Sequence, residues 1–128
     1  VRSALFEMFQ VFDFSDPSVL NGKRQSTTIA PQALFMMNSK MVFEECQTMA
    51  NQLLAVPAWT DRQRVQQLFQ LVYARPPGET ELYDSLDYLA RYQGVLADQQ
   101  VAEKERQQRA WQSLSHALMV ASEFIYLE

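Results

Sequence analysis

From Val42 to Ile125 apolar residues recur every three or four positions, and Pro57, the Pro76-Pro77 pair and Gly94 punctuate the recurrence. That period puts the apolar side chains on one face of a helix, whereas a half-buried strand would alternate at every second residue. Val42, Cys46, Met49 and Leu53 share one face, while Glu44, Gln47, Thr48, Asn51 and Gln52 point away from it. Ser39 is placed to cap this helix, which begins at Lys40 and ends before Pro57. Thr60 followed by Gln63 forms a capping box for the next helix, with Val65, Leu68, Phe69 and Val72 as its inner stripe. Pro76 disfavours helical geometry at the residue before it, so this helix should stop near Arg75.

A third long helix opens with Gly78 at the N-cap and Glu81 at N3, and carries Leu82, Leu86, Leu89 and Leu96 inward. Asp87 and Arg91 form a supporting i,i+4 pair. Gly94 weakens that helix by about 1 kcal/mol relative to Ala. The stretch 95–109 is rich in Gln and mixed charge, which leaves two readings, a solvated helical extension or a mobile connector. Trp111, Leu114, Ala117, Leu118, Ala121 and Ile125 form the last inner stripe. His116 lies opposite that stripe, where it should face solvent or a partner.

Upstream the pattern is different. Leu5, Phe6, Met8, Phe9 and Phe12 suit a short amphipathic helix over 1–12. Asp, Ser, Pro, Asn and Gly then gather over residues 13–28, with a tight-turn pair at Asn21-Gly22. Pro31 suits the first turn of a short apolar helix over Gln32–Met37, which Asn38-Ser39 interrupts. Short connections after Leu54 and Arg75 favour antiparallel neighbours. The expected fold is all-α, an antiparallel bundle of four to five helices preceded by an irregular loop segment over about residues 13–30. A length of 128 residues fits one domain, 1–128, with a single core. A first residue of Val rather than Met suggests a C-terminal fragment of a larger multidomain protein.

The net charge is −4 and the eleven basic residues form no stripe, which argues against a nucleic-acid partner. No apolar run approaches the ~20 residues of a membrane-spanning helix, so no membrane insertion is expected. One cysteine, Cys46, permits neither an intrachain disulfide nor a thiolate metal cluster.

Several side chains are candidates for chemistry. Asp13 and Asp16 could pair for acid–base work, but a carboxylate before Pro17 is also an ordinary turn residue. Arg24 presents five donors in a rigid fork and is the natural organiser of the loop, through Asp13, Asp16 or backbone carbonyls. Alternatively, Arg24 with Ser26, Thr27 and Thr28 could bind an anion near a helix start. Asn38 belongs with the structural loop residues. His116 lacks the converging partners that catalysis or metal binding requires, and Cys46 faces inward as a small hydrophobe. Gly22, Gly78 and Gly94 are the only glycines, so no glycine-rich phosphate loop exists, and no cofactor is expected. Met36, Met37 and Met41 could form an adaptable binding surface or plain core.

Taken together, Phe12-Asp13, Arg24, Thr27-Thr28, Pro31-Gln32-Ala33-Leu34 and Asn38 resemble the planctomycete C-terminal domain of unknown function fifteen-fifty-three. Leu71, Arg75-Pro76-Pro77, Glu81, Trp111, Leu114, His116-Ala117-Leu118, Ser122-Glu123-Phe124 and Tyr126 extend the likeness along the chain. Gly78 departs from it, because the family commonly has Thr there. The resemblance implies large secreted or envelope proteins, hence an extracytoplasmic location. It also implies upstream domains as partners, a cytochrome-c-like domain among them. It supplies no catalytic residues. The expected function is structural packing between domains. Carbohydrate or anion binding through the 13–28 loop with Trp59 or another exposed aromatic is the first alternative, and a share in a hydrolase site completed upstream is the second.

Overall fold

A computed structural model describes Met8, Phe9 and residues 31–127, with side chains described as far as Ser122. The expected 13–28 loop, and most of the expected 1–12 helix, lie outside the described residues. Five helices follow in order: α1 Pro31–Asn38, α2 Lys40–Leu54, α3 Asp61–Tyr73, α4 Glu79–Asp98 and α5 Glu103–Leu127. They form an all-α antiparallel bundle, and there is no strand among the described residues.

The helix starts follow local chemistry. Pro31 occupies the first position of α1, where a missing N–H costs nothing. The Val42 amide donates to Ser39 Oγ at 3.3 Å, so Ser39 caps α2. At α3 both halves of the capping box are present: the Gln63 amide donates to Thr60 Oγ1 (3.2 Å), and the Thr60 amide donates to Gln63 Oε1 (2.8 Å). Gly78 has no side chain to cap α4, so only the return half survives there, from the Gly78 amide to Glu81 Oε1 at 2.8 Å. Glu81 is held for that task by Arg75, which donates to both carboxylate oxygens at 2.8 Å. The Arg75 guanidinium also lies 5.3 Å from the Tyr73 ring centre and 5.8 Å from that of Phe69. These contacts fix the Arg75–Gly78 turn. Arg75 holds the Glu81 carboxyl below its usual range, and Glu81 in turn raises the Arg75 pKa.

The stretch 95–109 divides at a turn. α4 runs through Gly94 to Asp98, and α5 begins at Glu103. Gln100 adopts a left-handed conformation with φ 63°. Its amide donates to the Ala97 carbonyl (2.9 Å), and the Val101 amide donates to the Leu96 carbonyl (3.0 Å). That is the Schellman pattern, normally built on glycine. Val101 packs against the core, and Arg106 donates to its carbonyl at 2.6 Å.

α5 is the central helix and packs against the other four. Ala110, Trp111, Leu114, Ala117, Leu118, Val120 and Ala121 are all buried on it. Trp111, Tyr88, Phe9 and Phe69 are the largest fully buried side chains. Burying a large apolar side chain contributes about 1.5–3 kcal/mol. Phe9 stacks on Tyr88 of α4 with ring centres 4.7 Å apart. The polar residues that α5 does bury have partners. Ser115 donates to the Trp111 carbonyl (2.8 Å), and Ser113 Oγ lies 2.6 Å from the Tyr88 hydroxyl. Tyr73 donates to the Leu118 carbonyl at 2.6 Å, linking α3 to α5.

Candidate functional site

A helix enclosed on several sides has little solvent face, and this corrects the expectation for His116. The side chain is half-buried and turned toward α1, with Nε2 3.0 Å from the Met36 carbonyl oxygen. Met36 lies in the last four residues of α1, whose carbonyls lack partners within the helix. His116 therefore caps α1 from a distant part of the chain. A carbonyl only accepts, so Nε2 carries the proton of the neutral ring. Burial lowers the His116 pKa, and the bond to Met36 partly opposes that shift. Phe43 meets the imidazole edge-on, with ring centres 6.5 Å apart.

Cys46 sits deeper at the same junction of α1, α2 and α5. It is fully buried, as its helical position requires, and Sγ lies 3.5 Å from Met119 Sδ. Burial, with a smaller push from the Glu45 carboxylate, raises its pKa from 9.0 to about 12. The thiol thus stays protonated at neutral pH and is a poor nucleophile. Among the described residues no three of His, Cys, Asp and Glu converge as metal ligands.

Large apolar side chains stand exposed along α1 and the first turn of α2. Leu34, Phe35, Met41 and Phe43 are 45%, 69%, 78% and 51% exposed, four large side chains within ten residues of sequence. Leu71 on α3 is 58% exposed. Beside them an open groove of about 230 Å³ runs between α1, α2, α3 and α5. Met36, Met49, Met119, Leu71 and Val72 supply its apolar lining, with Glu45 and Ser122 as its polar members. The methionines thus divide between the two sequence readings. Met36 and Met37 pack partly against the core, while Met41 stands exposed. A second groove, of about 240 Å³, lies between α3 and α4, where Tyr83 is 70% exposed beside Arg62 and Glu79.

Asp13, Asp16, Arg24, Ser26, Thr27 and Thr28 lie outside the described residues. Asn38 is the exposed last residue of α1. Trp59 is not an exposed platform, since it packs partly against the core. Among the described residues Arg64 is a half-buried guanidinium that ties a connection. It donates to the Leu53 carbonyl (2.9 Å) and the Val56 carbonyl (3.0 Å), and pairs with Asp61 at 3.1 Å. It thereby closes the α2–α3 connection. Local sequence gives no sign of this, because the carbonyls it satisfies lie eight and eleven residues upstream.

Residues 1–89 match the sequence model of a family described as PSD1, protein of unknown function (DUF1553). The chain belongs to this family. The match covers well over half of the 128 residues, and the likeness drawn at Trp111 and beyond lies outside it. No curated protein and no solved structure matches the chain. The family is described as of unknown function, and the helical bundle is what the structure adds to it.

Proposed function

We propose that this DUF1553 chain is an interdomain packing module of a larger extracytoplasmic protein, whose apolar α1–α2 face seats a neighbouring domain of the same polypeptide. The supporting observation is the exposure of Leu34, Phe35, Met41 and Phe43 together on a bundle that buries Trp111, Phe69 and Leu114 almost completely. Concentrated apolar exposure on a folded domain is the usual mark of a protein contact surface. The deeply buried thiol and the carbonyl-bound histidine beside that face suit packing rather than catalysis.

The double substitution Phe35→Ser with Met41→Ser tests the reading. It should leave the urea midpoint of the 128-residue chain nearly unchanged, because both side chains are already in water. In the full-length polypeptide it should accelerate limited proteolysis between this module and its neighbour. Equal proteolysis of the substituted and parent full-length proteins would remove the proposal.

A further inference from the structure

The groove next to the exposed face has a chemical selectivity of its own. Three methionines line it, and thioether side chains adapt their shape to an incoming apolar group. Among the described residues Glu45 is its only charged lining residue. Among the described residues Glu45 forms no ion pair, whereas Glu44 beside it pairs with Lys40. Met41 and Glu45 stand one helical turn apart on α2, so the carboxylate and the exposed apolar face are contiguous. Leu71, which is 58% exposed, forms part of the wall from α3. An apolar slot edged by an unneutralised carboxylate, Glu45, complements an apolar group that carries a positive charge.

We infer that this groove receives a long apolar side chain from the neighbouring domain, flanked there by a lysine or arginine that pairs with Glu45. The inference rests on the packing role proposed above and specifies the partner's chemistry. Met36, Met49 and Met119 enclose the anchor, and Glu45 selects its flanking charge. A segment with an acidic residue beside the same anchor is disfavoured by like-charge repulsion.

Three small probes of equal chain length separate these contributions in the 128-residue chain: hexylammonium, hexanol and hexanoate. Binding is read from methionine methyl shifts by NMR, with the fully buried Met8 as an internal reference. The expected shifts fall on Met36, Met49 and Met119. The expected order of affinity is hexylammonium, then hexanol, then hexanoate. An exposed carboxylate should separate the first two by about twofold to fivefold, and added salt should shrink that gap. Glu45→Gln should abolish the difference between the cation and the alcohol while hexanol binding persists. The carboxylate is exposed, so the variant's urea midpoint should match the parent's. No methionine shift with any probe, or equal binding of all three, overturns the inference. So does a cation preference that survives Glu45→Gln. Those results leave the packing proposal standing. Charge-selective binding combined with unchanged interdomain proteolysis of the Phe35→Ser, Met41→Ser full-length protein would instead sink the packing proposal alone.

Discussion

Replacing Arg64 by Met keeps most of the side-chain stem and removes the guanidinium. In the structure that group satisfies the Leu53 and Val56 carbonyls at 2.9 and 3.0 Å, and its side chain is only 13% exposed. A hydrogen bond to a charged donor contributes about 1.5–3 kcal/mol. Two of them give an upper bound of roughly 3–6 kcal/mol, but the Leu53 carbonyl lies in the last turn of α2 and the Val56 carbonyl in the connection, where water can replace the guanidinium after the change. The expected loss is therefore about 2–3 kcal/mol. Asp61 contributes far less, because its carboxylate is 55% exposed and a surface pair is worth under about 1 kcal/mol. Urea unfolding of the 128-residue chain measures both, compared at a constant slope so that the midpoint reports stability. Arg64→Met should lower the midpoint strongly, and Asp61→Ala should lower it little. Near-parent stability for Arg64→Met, or an equal loss for the two variants, would refute the claim that Arg64 closes the α2–α3 connection through backbone carbonyls.

Further outcomes follow from the caps and the junction. Glu81→Ala should cost about 1–2 kcal/mol at neutral pH, because the return half of the α4 cap and the Arg75 contact are lost together. Glu81 has a lowered folded pKa, so its contribution is complete above its ordinary pKa of 4.5 and fades as pH falls through the folded value. Parent and variant urea midpoints should converge in that acid range. His116 also has a lowered folded pKa, so the unfolded chain binds its proton more readily. Its contribution is complete above 6.5 and declines as pH falls from there toward the folded value. His116→Leu should flatten that part of the stability–pH curve. Gln100→Gly should raise the melting temperature, with a gain of about 0.5–1 kcal/mol, by relieving the left-handed strain at φ 63°.

Local signals carried the helix starts. Ser39, and Thr60 with Gln63, act over three residues, so their geometry is written in short sequence windows. The inner stripes were legible for the same reason, with Cys46, Leu53, Val65, Leu68, Leu89 and Leu114 all buried as their periodicity requires. Features that depend on the third dimension were not legible. The cap from His116 to Met36 joins residues eighty positions apart. A one-sided reading of α5 turned His116 toward solvent or a partner, whereas the surrounding helices set it against α1 of the same chain. The end of α4 was hidden because Gln100 occupies a position that usually announces itself as glycine. The α1–α2–α3 groove likewise draws its walls from separate elements, and no single stretch of sequence marks it.

Oxidative footprinting with hydrogen peroxide tests the central proposal most directly, through Met41. At 78% exposure this methionine should oxidise rapidly in the 128-residue chain, well ahead of the fully buried Met8. In the full-length polypeptide the account predicts strong protection of Met41, as the neighbouring domain covers the α1–α2 face. Equal Met41 oxidation rates in the two proteins would contradict it.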